Sequence, residues 1–124
     1  MPSLLRSLLA ALWLLAFVAP AIADPSPGVA AYERGDYEVA LPLLEKEAAA
    51  GDAVAQTKLG LIHVKDLGVP HDPATARQWF EKAAAQGNAE AEYCLGVMYD
   101  FGDGVTKNAT AAFDWYRKAA AKGY

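Results

Sequence analysis

The stretch that decides the fold is Gly51–Gly87, GDAVAQTKLGLIHVKDLGVPHDPATARQWFEKAAAQG, because it recurs without a gap as Gly87–Gly123, GNAEAEYCLGVMYDFGDGVTKNATAAFDWYRKAAAKG. The copies stand 36 residues apart and share Leu-Gly, Gly-Val, a Trp-aromatic pair and Lys-Ala-Ala at matching positions. Self-similarity at such a period is the signature of a repeat protein, in which each unit is one supersecondary element.

Each copy is predicted to be a pair of helices. The first helices are expected at Ala53–Lys65 and Ala89–Phe101, and the second helices begin after the N-caps Asp72 and Asn108. Apolar residues at three- and four-residue steps predict the buried faces. In the first helices these are Ala55, Leu59, Ile62, His63, Ala91, Leu95, Met98 and Tyr99, and in the second helix of the first copy Ala76, Trp79, Phe80, Ala83 and Ala84.

Two glycine features recur in both copies. Gly60 and Gly96 lie inside the first helices, where Gly costs ~1 kcal/mol relative to Ala. This cost predicts a packing reason, namely close approach of the partner helix backbone. In the loops, the pairs Gly68-Val69 and Gly104-Val105 predict a turn at the Gly and a Val tucked between the helices.

The segment before the copies follows the same register in a shortened form. A short helix Val29–Arg34 is expected to end at Gly35, and Asp36 to cap a helix Tyr37–Ala50 that contains Pro42. Proline inside a helix removes one backbone hydrogen bond, so Pro42 is expected to kink this helix or to delay its regular start. The predicted organisation is an abbreviated helix pair over 28–51 and complete repeats over 52–87 and 88–123.

Residues 1–23 have the composition of a secretory signal peptide. Arg6 precedes an apolar run, Leu8–Ala19, and Ala21-Ile22-Ala23 supplies a small-x-small cleavage pattern. We predict cleavage between Ala23 and Asp24, a periplasmic or secreted location, and no membrane association after cleavage. The alternative is an uncleaved anchor, which the shortness of the apolar run disfavours because a spanning helix needs ~20 residues.

The repeated residues resemble the Sel-one-like repeat family, a relative of the tetratricopeptide repeat. The second copy carries the family pattern at Ala89, Ala91, Leu95, Gly96, Tyr99, Gly102, Gly104, Val105, Ala112, Trp115, Tyr116, Lys118, Ala119, Ala120 and Gly123. The first copy departs at His63, where the family has Tyr, and at Asp66, where it has Gly, which predicts a differently turned loop before Asp72. The resemblance implies an all-α fold, an α-solenoid of antiparallel helix pairs wound into a right-handed superhelix.

The resemblance also implies a function: members of the family are mostly adaptors that gather protein partners along a groove lined by the first helices. We therefore expect an exported protein-interaction module that binds a protein or peptide. The alternative is a periplasmic hydrolase of the β-lactamase type, since cysteine-rich relatives are linked to β-lactam binding. Those relatives carry a Cys pair in each repeat, whereas this chain has one Cys in all.

Composition and residue chemistry point away from catalysis and from nucleic acid. With 11 basic and 15 acidic side chains the chain has a net charge of −4, whereas nucleic-acid binding depends on clustered Lys and Arg. No catalytic, metal or cofactor set is predicted: His63 is expected to be buried in the core or half-buried, and the loop acids Asp66 and Asp72 suit helix capping. Cys94, inside an apolar helix, is interpreted as a small hydrophobe.

The predicted binding surface is the side of the first helices opposite the core stripe. At 100° per residue it comprises Thr57, Leu61, Val64, Tyr93, Val97 and Asp100. The alternative is that the apolar members pack against the neighbouring repeat, because stacked repeats share faces.

The last helix, expected at Ala109–Lys122, presents Ala112, Phe113 and Trp115-Tyr116 on a side that no following unit of the printed sequence covers. Each unit of a solenoid buries its face only against a neighbour. This predicts a fragment of a longer array, a homodimer through this end, or marginal stability.

Overall fold

The computed structural model describes residues 24–124, so the predicted signal peptide and Ala23 lie outside the described residues. Within 24–124 the chain forms six α-helices and no strand, as the predicted all-α class requires. The helices are α1 Pro27–Glu33, α2 Tyr37–Ala49, α3 Ala53–Val64, α4 Pro73–Ala85, α5 Ala89–Phe101 and α6 Ala109–Ala121.

The helices stack in sequence order, so that each packs chiefly on the helix before it and the helix after it. α1 also contacts α3, whereas α3 and α5 make almost no contact at the backbone level. The arrangement is a short α-solenoid of helix pairs in which each element touches only near neighbours in sequence.

Two buried clusters run through the stack, and each is shared by three helices. The first joins α1, α2 and α3 through Val29, Ala31, Ala40, Leu44, Ala48, Ala55, Leu59 and Ile62. The second joins α3, α4 and α5 through Leu61, Ala76, Phe80, Ala83, Ala91, Leu95 and Met98. The predicted core stripes of α3 and α5 are confirmed at Leu59, Ile62 and Leu95, and His63 is half-buried as expected.

Helix starts are fixed by side-chain caps, which accept hydrogen bonds from otherwise unpaired backbone N–H groups. The predicted caps Asp36, Asp72 and Asn108 are confirmed, each accepting from the backbone nitrogen three residues on. Asp52 and Asn88, one repeat apart, cap α3 and α5 in the same way. The sequence analysis missed these two caps.

The predicted effect of Pro42 on the start of α2 is wrong. The helix begins at Tyr37 and continues past Pro42 to Ala49. Pro42 has no N–H to offer the carbonyl of Glu38, but both residues are exposed. Water can satisfy that carbonyl, so a regular helix is tolerated.

The two mid-helix glycines have a packing role, but the neighbour is an aromatic ring rather than a backbone. A Cβ added to Gly60 would lie 2.5 Å from Cε1 of Phe80, and one added to Gly96 would lie 2.6 Å from Cδ1 of Tyr116. The expectation of close backbone approach is corrected accordingly. In each complete repeat the ring of the second helix lies on the bare backbone of the first.

The loops differ less than their sequences suggest. Gly68 and Gly104 both have positive φ, and Val69 and Val105 pack against the two clusters as predicted. Asp66 replaces Gly102 in the register, yet its φ is 56° against 70° for Gly102. The predicted difference in turning is therefore wrong at this position. Asp tolerates the left-handed region better than most residues, which lets the first loop keep the conformation of the second.

We predict that Gly60→Ala destabilises the protein even though Ala is the better helix former. The higher helix propensity of Ala would by itself stabilise the folded protein by ~1 kcal/mol. However, the new methyl group overlaps the Phe80 ring, and overpacking of this kind costs about 1–3 kcal/mol. The measurement is urea unfolding of Gly60→Ala with and without Phe80→Leu. A penalty that is unchanged by Phe80→Leu would refute the ring contact as its cause.

Candidate functional site

A mostly apolar cavity of about 400 Å³ opens between α3 and α5 and is here called the α3–α5 groove. Its apolar floor consists of Leu61, Val64, Phe80, Cys94, Val97 and Met98. Its rim consists of Lys65, Glu90, Tyr93, Phe101, Asp103 and Tyr124. A cavity of this size with a mostly apolar lining and a few polar groups is typical of a ligand or peptide site.

Polar side chains join α3 and α5 beside the groove. The Thr57 hydroxyl lies 3.1 Å from Oδ1 of the Asn88 cap, and Nζ of Lys58 donates to both Glu90 carboxylate oxygens at 2.9 and 3.1 Å. These contacts connect the middle of α3 to the start of α5, whereas backbone contact between the two helices is almost absent. Because Glu90 also lines the groove, this tie lies at its edge.

Four of the six residues predicted for the binding surface line the groove: Leu61, Val64, Tyr93 and Val97. Leu61 is only 6% exposed and belongs to the second cluster. For this residue the alternative of packing against the neighbouring repeat holds, although one side of it faces the cavity.

Thr57 and Asp100 lie outside the groove, which corrects their predicted place in it. Thr57 is fully buried, and its hydroxyl is within hydrogen-bonding distance of the Ala53 carbonyl and the Asn88 cap. Asp100 accepts a hydrogen bond from the hydroxyl of Tyr116 at 3.2 Å. The angular argument placed both on the outward side, but it could not include the neighbouring helices.

The rim carries a row of aromatic rings. The Tyr93 ring lies 5.3 Å from that of Tyr124 and 5.6 Å from that of Tyr116, centroid to centroid, which are ordinary distances for tilted aromatic pairs. Phe101, at 75% exposed, is the most exposed large apolar side chain of the described residues. Amphipathic rings of this kind are enriched where proteins bind one another.

Three charged residues line the groove, and two of them are paired within the protein. Glu90 is held by Lys58, and Asp103 lies with Oδ1 3.1 Å from Nε2 of His71. Lys65 is exposed and forms no ion pair within residues 24–124. The free charge that the groove offers a ligand is therefore positive.

Cys94 is a free, half-buried thiol in the groove floor, as expected for a small apolar residue. Burial, with a smaller effect from the charge of Glu90, raises its pKa to about 12 against the opposing charges of Lys65 and Lys58. Since the thiolate is the nucleophile, this thiol is unreactive near neutral pH. Lys65 is itself one of the residues that line the groove.

The other residues with potential chemistry have structural roles. Asp72 accepts from the backbone N–H and the hydroxyl of Thr75, and these bonds lower the pKa of its carboxyl. Across residues 24–124 no group of three His, Cys, Asp or Glu side chains is placed to hold a metal ion. None of the six helices there has the length and apolar character needed to cross a membrane.

One polar pair that occurs at the same position in both repeats is uncharged in the first repeat and charged in the second. In the first, the Gln56 side chain donates to the Ala48 carbonyl and accepts from Nε2 of Gln86, both at 3.1 Å. In the second, the equivalent pair is Glu92, 2% exposed, and Lys122. Glu92 bonds Lys122 through Oε1, but its buried Oε2 has no hydrogen-bond partner among the described residues. A buried orphan oxygen costs about 1–3 kcal/mol, so this junction is less well satisfied than the first.

The ties between repeats were not predicted from the sequence. Lys58–Glu90 and His71–Asp103 are each 32 residues apart, and Thr57–Asn88 is 31 apart. These spacings of 31 and 32 residues are about one helical turn less than the repeat period of 36. A residue therefore lies beside the helical turn that precedes its own equivalent in the next repeat. A search for complementary side chains at that offset would have found them.

Comparison with known proteins adds a family and two structural neighbours. The family model described as Sel1 repeat matches residues 53–88 and 89–124. The structure is similar to that of a Sel1 repeat protein from Oxalobacter formigenes, with 39% identity and a TM-score of 0.73, over 78% of this chain and 40% of that one. It is also similar to c5321, described as a protective antigen of uropathogenic Escherichia coli with an SLR fold, with 35% identity and a TM-score of 0.72, over 78% of this chain and 22% of that one.

The chain thus spans less than half the length of either neighbour. No curated protein shows significant similarity to it.

We predict that the His71–Asp103 contact titrates as an ion pair. The hydrogen bond to Asp103 raises the pKa of His71, and the charges of Asp103 and Asp66 act in the same direction. The stabilisation is therefore fully present below the unfolded pKa of about 6.5 and is lost as pH rises through the higher folded pKa. An NMR titration of the His71 ring should give a lower midpoint in Asp103→Asn. An unchanged midpoint would show that the contact does not form in solution.

Proposed function

The chain belongs to the Sel1 repeat family, and on that premise we propose that it is an exported interaction module that binds a peptide segment of a partner protein in the α3–α5 groove. Sel1 repeat proteins generally mediate protein–protein interactions, and the family fold is non-catalytic. The observation that carries the proposal is the groove itself, an apolar cavity rimmed by exposed aromatic rings.

The groove suits a peptide because binding would bury apolar surface that water now covers. Tyr93 is 44% exposed and Phe101 is 75% exposed, and rings of this size bury about 150–250 Å² each when fully covered. At ~25 cal/mol per Å², covering such surface is a large part of the affinity of an ordinary peptide complex. The hydrolase alternative depends on cysteine-rich relatives and gains nothing from the lone, protonated Cys94.

The binding prediction is tested with Val97→Glu, which places a carboxylate in the floor of the groove. Partner binding should weaken by at least about tenfold, the effect expected when the centre of an interface is disrupted. The matched control is Val39→Glu on the outer surface of α2, where Val39 is 46% exposed. The measurement is quantitative affinity capture of the partner by the purified variants, with circular dichroism to verify helicity. Equal capture by both variants would contradict a role for the groove.

Export is proposed from the composition of residues 1–23, with cleavage before Asp24. We expect the protein in the periplasmic or extracellular fraction of the producing cells, with Asp24 as its first residue. N-terminal sequencing of the protein from each fraction makes the measurement. Full-length protein found only in the cytoplasm would contradict export and leave the groove proposal intact.

A further inference from the structure

The α3–α5 groove has room for one or two apolar side chains and not for a folded surface. Its cavity of about 400 Å³ lies at the small end of the range for ligand sites. Leu61 and Met98 in the floor are nearly fully buried, so the depth is set by packed core residues. A bound segment would have to place its apolar side chains there and leave its polar groups at the rim.

The charges at the rim of the groove determine which polar groups of a bound segment would be favoured there. Both carboxylates of the lining have partners within the protein, since Glu90 bonds Lys58 through both oxygens and Asp103 contacts the ring of His71, which is cationic when protonated. Lys58 is committed further, with its ammonium 5.3 Å from the centre of the Tyr32 ring. Lys65 is the one lining charge without an opposite partner in residues 24–124.

The negative net charge of the protein opposes the preference for an anionic ligand that Lys65 would give. Arg6 is the only charged residue before Asp24, so residues 24–124 carry 10 basic and 15 acidic side chains, a net charge of −5. This long-range field favours cationic ligands. Asp66, next to Lys65 on the exposed loop, weakens the local positive potential as well. A preference for an anionic ligand can therefore come only from direct contact with Lys65.

We propose, resting on the proposed function, that the groove recognises a peptide segment with an apolar side chain in the floor and an adjacent carboxylate against Lys65. The carboxylate belongs either to an acidic side chain or to the C-terminus of the segment. Both sources offer the same contact to an ammonium group, and the choice between them is experimental.

The experiment is isothermal titration calorimetry of the purified protein with synthetic peptides. The main probe is Gly-Glu-Leu-Phe-Glu-Gly with both ends blocked, compared with blocked peptides that carry Gln or Lys in place of both Glu residues. A Gln peptide with a free C-terminal carboxylate is the fourth probe. Either the blocked Glu peptide or the free-acid Gln peptide should bind with a Kd about two- to fivefold below that of the blocked Gln and Lys peptides, the range for exposed ion pairs. The tighter of the two identifies the carboxylate source.

Two variants with the same change in net charge isolate the contact. Lys65→Gln should abolish the preference for a carboxylate, a loss of about two- to fivefold in affinity as for other exposed ion pairs. Lys46→Gln, on the exposed surface of α2 away from the groove lining, should leave the preference unchanged. Asp66→Asn should increase the affinity for the carboxylate peptide, because it removes a competing charge.

Three results would overturn the inference: tighter binding of the Lys peptide, equal effects of Lys65→Gln and Lys46→Gln, or no binding of either carboxylate peptide at millimolar concentration. The Val97→Glu variant distinguishes failure of the carboxylate contact from failure of the groove as the binding site. If Val97→Glu weakens every peptide while Lys65→Gln changes no preference, the groove stands and the carboxylate contact falls. If a bound peptide is unaffected by Val97→Glu, the groove itself falls.

Discussion

In each complete repeat, an aromatic ring of the second helix lies directly on a glycine of the first. Phe80 lies on Gly60 and Tyr116 on Gly96, at distances that leave no room for a Cβ. Because protein interiors are close-packed, this contact fixes how near the two helices come and how one is rotated against the other. Gly is a poor helix former, so both repeats accept the same local cost for the same packing.

The pairs set by these contacts then stack with a gap on one side. Two polar ties, Thr57 to Asn88 and Lys58 to Glu90, join the middle of α3 to the start of α5. The groove between these helices has an apolar floor built largely from the second core cluster and the residues packed against it. The groove is thus a consequence of repeat stacking, and the binding proposed for it depends on a few rim residues, among them Lys65, Tyr93 and Phe101.

Several features that form within one helix or loop could be predicted from the sequence. The caps at Asp36, Asp72 and Asn108 and the buried stripe through Leu59 and Leu95 follow from signals a few residues long. The burial of Thr57 does not, because it depends on a helix more than thirty residues away. The Phe80 ring against Gly60 is similar: the recurrent glycine signals a close neighbour, but only the folded pair shows that the neighbour is a ring. The prediction for Asp66 was wrong because Asp can adopt the positive φ that Gly supplies at the equivalent position of the second repeat.

The central claim is that the gap between α3 and α5 is the binding surface of this repeat protein. The most direct measurement is an NMR titration of the purified protein with the segment it binds, followed through the methyl groups of the floor and the backbone amides. The account predicts the largest shift changes at Leu61, Val64 and Val97, with the outer surfaces of α2 and α4 unaffected. Largest changes on those outer surfaces, with the groove methyl groups unmoved, would contradict it.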